Sequence, residues 1–434
     1  MEKSSDKPPE EERPPAEEVS VAPVSLPPVL EEVTDEIPDG GFMAWLQVAG
    51  GFAIFFNTWG MVNTFGVFQT YYETHMLKTS SPDAISWIGS IQSFLLLGGG
   101  VISGPLFDAG HFKTVILAGG FAISFGAMMT SLSSKYWHFL LSQAFCIGLG
   151  AGCLVVPTLS VLPQYFLKKR ALVTGITVSG SSFGGVVYPL VFQGLVSKIG
   201  FGWTIRVLGF ISLATCAFAV AVMRTRTQPR LVRSLFDPKA FREIPYFCYC
   251  FAMFFSNFGF FGPIFYLQTY ALGHGLTNEN IALHLVAILN AASVLGRLAP
   301  SYFVPWIGAV NTMMAVATMA GIVAFSWIAV NTGPGNIVFA VMYGFTSGGI
   351  VSLPAVVLAS ITEDLRFLGA RLGTANLFNA TASLCGAPLA GAILRATGSY
   401  LGVQLFAGFT LSLTAVFLYG TRVAKAGTGL TVRV

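Results

Sequence analysis

The sequence predicts an all-α membrane protein with twelve transmembrane helices in two six-helix halves. Three observations predict it. First, 54% of the 434 residues are hydrophobic and only 10% are charged, whereas soluble domains carry about 25% charged residues. Second, uncharged stretches such as 115–132 and 247–272 are long enough, or nearly so, to cross a hydrocarbon core of about 30 Å as helices. In lipid the backbone polar groups must be satisfied within the segment, which selects helix for these runs. Third, the chain repeats itself at a nearly constant spacing. Phe65-Gly66 and Gln69-Thr70-Tyr71 return as Phe261-Gly262 and Gln268-Thr269-Tyr270, at offsets of 196 and 199. Gly148, Gly152 and Pro157 return as Gly344, Gly349 and Pro354, and Gly100 and Pro189 pair with Gly296 and Pro388.

Taken in order, residues 1–39 hold twelve acidic residues, three basic residues and eight prolines. Such a segment has too little apolar surface to fold and is expected to be a disordered acidic tail. It lacks a basic stretch followed by an apolar one, so no cleavable signal peptide is expected. The first half, 40–223, carries apolar runs near 43–70, 84–107, 113–133, 137–161, 171–195 and 202–223. A basic linker, 224–245, follows with Arg224, Arg226, Arg230, Arg233, Lys239 and Arg242. The second half, 246–421, has runs near 246–271, 280–303, 311–331, 336–361, 372–394 and 400–420, before a short tail at 422–434.

Basic residues orient the chain. With both termini in the cytoplasm, the inner loops and C-terminal tail hold fifteen Lys and Arg, and the outer segments hold five. A multi-pass protein of the cell membrane with cytoplasmic termini is therefore expected. All six cysteines fall inside apolar runs, where they serve as small packing residues. No metal ligand set and no cofactor motif is apparent.

Arg297 is the sharpest single residue, set well inside the eighth run in Ser293-Val-Leu-Gly296-Arg297. An intramembrane Arg tends to mark a substrate or ion pathway, and its planar fork matches a carboxylate in two parallel hydrogen bonds. The alternative is an Arg near a helix end that snorkels to the interface, with Pro300 and Pro305 close behind it. No Asp or Glu lies within any run. That removes the usual carboxylate of a proton relay, and the acid or base that embedded hydrolytic chemistry needs. An enzyme is not expected, nor is a nucleic-acid partner. Polar positions in the runs include Asn63, Tyr188, Asn257 and Asn379, each a candidate either for the substrate path or for helix–helix hydrogen bonding. Gly104-Pro-Leu-Phe-Asp108-Ala-Gly110-His-Phe-Lys113 joins the second and third runs. Its glycines permit a tight turn, with Asp108 and Lys113 as a candidate conformational latch or as an ordinary solvated turn.

Asp39-Gly40-Gly41-Phe42 resembles the opening signature of the monocarboxylate porter family, within the major facilitator superfamily. Lys169-Arg170-Ala171, Gly175 and the stretch from Gly180-Ser181-Ser182-Phe183-Gly184-Gly185 to Tyr188-Pro189 resemble its fungal branch. Gly202-Trp203-Thr204-Ile205-Arg206, Gly296-Arg297 and Pro300 fit the same branch. The resemblance implies the major facilitator fold, alternating access, and movement of small organic acids, in many members of the family with a co-transported proton. The family's helix-8 arginine falls on Arg297. Asn63 stands where animal members carry a lysine, and Ser293 where they carry an aspartate. The expected function is secondary active transport of a small organic anion, with Arg297 the anion contact and Asn63, Tyr188 and Asn257 lining the path. Export of a secondary metabolite is the alternative. A non-transporting nutrient sensor on the same fold is a lesser one.

Overall fold

The computed structural model describes residues 38–167, 169–226, 240–275, 279–362 and 368–427. The acidic tail as far as residue 37, most of the basic linker and the last seven residues lie outside them. The described residues form fourteen α-helices with short π and 3₁₀ extensions, and no strand occurs among them. Each predicted apolar run falls on helix.

Asp39 (φ 49°) and Gly41 (φ 90°) turn the chain into α1 (Phe42–Tyr71). The Asp39 carboxylate accepts from the Leu167 backbone N–H at 2.7 Å, which ties the start of α1 to the segment before α7. Pro82 stands in the first turn of α2 (Pro82–Gly98), where its missing N–H costs no helical bond. The helix shifts at Gly99 into α3 (Gly100–Asp108). The turn to α4 (Phe112–Thr130) closes through Gly110 at φ 87° and a bond from His111 N–H to the Leu106 carbonyl at 2.9 Å. The fourth predicted run becomes α5 (Tyr136–Phe139), a π segment (Leu140–Ile147) and α6 (Gly148–Val161) without a break. Helix α7 (Arg170–Val222) covers two predicted runs and breaks at Gly200, whose φ of 75° and ψ of 167° suit glycine alone.

The second group follows the same order. It comprises α8 (Ile244–Gly273), α9 (Glu279–Ile307), α10 (Ala309–Ser326), α11 (Gly333–Ser352), α12 (Pro354–Ile361), α13 (Leu368–Thr397) and α14 (Leu401–Ala426). Among the described residues, ten stretches are long and apolar enough to cross a membrane, with Leu172–Val222 counted once. The 30-residue α1 is not one of them. Its buried Gln47, Asn57, Asn63 and Gln69 lower its hydropathy. Outward faces carry exposed Phe121, Phe210, Leu295, Ile322 and Phe409, as a lipid-facing surface requires. Exposed Trp45 and Trp306 near one end, with Trp137 and Trp203 near the other, mark two interfacial belts.

Lipid tails are as apolar as Leu, so no hydrophobic term drives these helices together and close packing must do it. The glycines show where. A Cβ on Gly180 or Gly184 of α7 would strike the Phe52 or Phe56 carbonyl of α1. The sequence repeat reappears as repeated contacts. Gly148 and Gly152 of α6 lie on Gln92 and Leu95 of α2, and Gly344 of α11 lies on Leu289 of α9. The counterpart of Gly152 in this contact is Gly348, against Ser293, and not the Gly349 that the sequence spacing paired with it, which meets Val316 and Pro300. Among the described residues, contacts between the two groups include these. Phe65 of α1 packs on Phe265 of α8 with ring centroids 4.9 Å apart. Asp83 of α2 pairs with Arg395 of α13 at 3.3 Å. Gly185 of α7 lies against the Asn290 amide of α9.

Gly180→Ala is expected to overpack the α1–α7 seam, at a cost of about 1–3 kcal/mol. Its unfolding midpoint in detergent, followed by tryptophan fluorescence, should fall by several degrees. Gly194→Ala meets nothing within 4 Å and should leave the midpoint unchanged. Equal midpoints for both variants would refute close approach at Gly180.

Candidate functional site

Arg297 lies between two seams. On one side of α9, Gly296 packs under the Phe345 carbonyl of α11. On the other, the guanidinium meets α7, with Nη1 donating to the Val178 carbonyl at 2.8 Å and to the Ser181 hydroxyl. Its Nε donates to Ser293 Oγ, one turn back, at 3.3 Å. Ser181 in turn donates to the Val178 carbonyl at 2.6 Å, and Ser182 Oγ donates to Ser293 Oγ at 3.3 Å. The residue is 2% exposed. Helix α9 continues through Pro300 and Pro305 to Ile307, so the guanidinium is enclosed by protein instead of reaching an interface. No carboxylate among the described residues bonds to it. A buried cation satisfied by neutral oxygens alone keeps most of its desolvation penalty, and this makes the position a strong attractor for an anion.

The other predicted residues lie elsewhere. Tyr188 is fully buried within the first group and donates to Asn57 Oδ1 at 2.5 Å. Asn57 donates onward to Thr215 Oγ1 at 2.7 Å, so the network joins α1 to both segments of α7. Asn63 is buried in α1 without a hydrogen-bond partner among the described residues. Asn257 of α8 is half-buried and donates to Asn379 Oδ1 of α13 at 3.1 Å. None of Asn63, Tyr188 and Asn257 bonds to Arg297. Asp108 closes α3, and its side chain lies outside the described residues; Lys113 is exposed in the first turn of α4.

Sequence reasoning missed the partners of Arg297. Ser181 stood in the text as one of two serines after Gly180, but a serine 116 positions away carries no sign of its partner. It also missed a matched pair of acidic anchors. Asp39 precedes α1 and holds the segment before α7. Glu243 precedes α8 and holds Arg371 of α13 in two bonds, of 2.8 and 2.5 Å. In the sequence Asp39 stands out only as part of a motif and not as an anchor, and Glu243 stands unremarked at the end of the basic linker.

Arg297→Lys keeps the charge but cannot span the Val178 carbonyl, Ser181 and Ser293 from one planar group. It is expected to lower the unfolding midpoint by several degrees relative to the parent protein. An unchanged midpoint would show that the fork carries no packing role at this seam.

Comparison with known proteins places this geometry. The family model of the major facilitator superfamily matches residues 48–360. The MFS-type transporter dbaD of Emericella nidulans is 41% identical over 403 residues, covering 90% of this chain and 90% of that protein. The aspyridones efflux protein apdF of the same organism is 40% identical over 409 residues, covering 94% of this chain and 83% of that protein. The MFS-type transporter opdF of Penicillium oxalicum is 36% identical over 402 residues, covering 92% of this chain and 94% of that protein. None of these three bears the name of a monocarboxylate porter, so the narrower resemblance rests on the motifs alone. A multi-pass helical protein whose family match spans most of its length, this chain belongs to the major facilitator superfamily.

Proposed function

We propose that the chain is a secondary active transporter that exports a small metabolite bearing an acidic group. In this reading twelve crossings form two six-helix halves, with both termini and the 224–245 linker in the cytoplasm. The Gly200 break gives two crossings from α7, and the polar α1 supplies another. The observation that carries an anionic cargo is the buried Arg297, held at the seam between the halves by neutral oxygens only. Export is supported by the relatives, one of which is named for efflux of aspyridones. Movement of a plain monocarboxylate, which the motifs alone suggested, has less support.

The cycle follows from the seams. Asp83–Arg395 and Phe65–Phe265 lie at the end where α1 and α13 finish, which is the outer end in the proposed orientation. They hold that end shut in this conformation. An acidic cargo entering from the cytoplasm would draw Arg297 off α7. In this reading, cargo binding that loosens the α7–α9 contact lets the two halves shift against each other and exchange which end is open.

Loss of the gene is expected to leave an acidic metabolite inside the cells and deplete it from the medium, as measured by mass spectrometry of both fractions. Restoring the gene with Arg297→Ala or Arg297→Lys should recover less than about a tenth of export at normal membrane abundance, since Lys keeps the charge without the fork. Near-normal export by the Lys variant would remove Arg297 from the site. For orientation, cysteines introduced at Ser80 or Lys135 should react with an impermeant maleimide in intact cells, and those in the linker should not. The reverse pattern would invert the topology.

A further inference from the structure

We propose that Ser181 and the Val178 carbonyl form a seat that holds Arg297 when no cargo is bound, so that Ser181 is a positioning residue which competes with the cargo for the guanidinium. The proposal rests on the reading of Arg297 as the anion contact and adds a residue and a step to it. The seat belongs to α7 and its occupant to α9. Two of the three hydrogen-bonding partners of Arg297 therefore come from the opposite half, and only Ser293 comes from its own helix.

The seat is built for one guanidinium nitrogen. Ser181 sends its hydroxyl proton to the Val178 carbonyl, so its lone pairs face Arg297, and the same Nη1 reaches both oxygens. Behind the seat, Gly180 and Gly184 fix α7 against the α1 backbone, which leaves Ser181 little freedom to follow Arg297 away. On the far side, Gly348 packs against the Ser293 carbonyl and the Arg297 N–H, so the α9 backbone is equally fixed. The mobile parts are the guanidinium and the distance between α7 and α9.

Two consequences follow. A carboxylate offers Arg297 a full negative charge where the seat offers neutral oxygens, so it wins the guanidinium when it arrives. Each cargo molecule bound also removes two hydrogen bonds that cross between the halves, so binding loosens the α7–α9 seam. Without the Ser181 oxygen, Arg297 is held by fewer bonds, and it should be both easier to reach and easier for an anion to take.

The test uses the full-length protein in lipid nanodiscs. Phenylglyoxal, a small arginine reagent, modifies accessible guanidinium groups, and the rate at Arg297 is read by mass spectrometry of its peptide. Ser181→Ala should raise that rate by roughly fivefold, the worth of about one net hydrogen bond. Ser181→Thr keeps the hydroxyl and should restore protection. Ser182→Ala, which leaves the bonds of Arg297 in place, should match the parent protein. Octanoate, a plain monocarboxylate probe, should slow the modification and do so at lower concentration in Ser181→Ala than in the parent. Equal rates in the parent and Ser181→Ala would overturn the seat whatever octanoate does. Equally fast reaction in Ser181→Ala and Ser181→Thr would overturn it too, by showing that packing and not the hydroxyl protects Arg297. Faster reaction in Ser181→Ala alone, with no octanoate protection in either protein, would uphold the seat and overturn the anion reading beneath it.

Discussion

Close backbone approach is the constraint on which this structure depends. Hydrocarbon gives helices no hydrophobic reason to associate, so they must gain from contact itself. That gain requires main chains near enough for many atoms to touch at once. Gly180 and Gly184 bring α7 to the carbonyls of α1, and Gly344 and Gly296 bring α11 and α9 together. A side chain at any of these would hold two helices apart along much of their length. Everything polar in the interior is positioned by these seams. Asn57 meets Tyr188 because the α1–α7 seam is tight, and Arg297 faces Ser181 because α9 is pressed between α11 and α7.

The polar groups then do what packing cannot. Dispersion between helices changes smoothly as they slide, whereas a hydrogen bond in a dry interior is made or lost. The Asn57–Tyr188–Thr215 network fixes the register of α1 and α7 within one half. The Asn257–Asn379 bond does the same for α8 and α13. Asp39 and Glu243 anchor the first helix of each half to the segment that begins its fifth predicted run. These contacts lie within halves and keep each one rigid. Between the halves the packing is also extensive, with Gly66 against the Ile264 carbonyl and Gly391 against Asp83, but the polar contacts are scattered: Arg297 and Ser182 across α7 and α9, and Asp83–Arg395 with an exposed arginine.

Much of the fold was legible in the sequence because its signal is charge, and charge at a membrane is sparse. The linker from Arg224 to Arg242 separates the groups, and the predicted ends of runs fall within a few residues of the helices found. The break at Gly200 was legible too, as the gap between runs ending near 195 and starting near 202. The offset repeat pointed to two like groups of helices, and the glycines at 148 and 344 meet matching neighbours, Gln92 and Leu289. The site was legible only in part. Arg297 stood out as the one basic residue well inside a run. Its partners did not, because a backbone carbonyl has no residue letter and a serine has many possible uses. The amides were visible as polar, but their pairing depends on helix rotation, which a run without a polar stripe does not encode. Asn63 and Asn57 look alike in α1, and only the second finds Tyr188.

The nature of the Arg297 contacts bears on why such a residue can serve a cycle at all. A carboxylate partner from the protein would neutralise it and hold it through a charged pair, and a cargo would have to break that pair before forming its own. With no partner, the buried charge would oppose folding by several kcal/mol. Neutral oxygens fall between these limits. They supply enough hydrogen bonding to keep the guanidinium buried, yet less than an incoming carboxylate supplies. Because two of those oxygens sit on α7 and the arginine on α9, strength of hold and closure of the seam are coupled. Whatever takes the arginine from its seat also weakens the contact between the halves, and in this way a single side chain links occupancy to conformation.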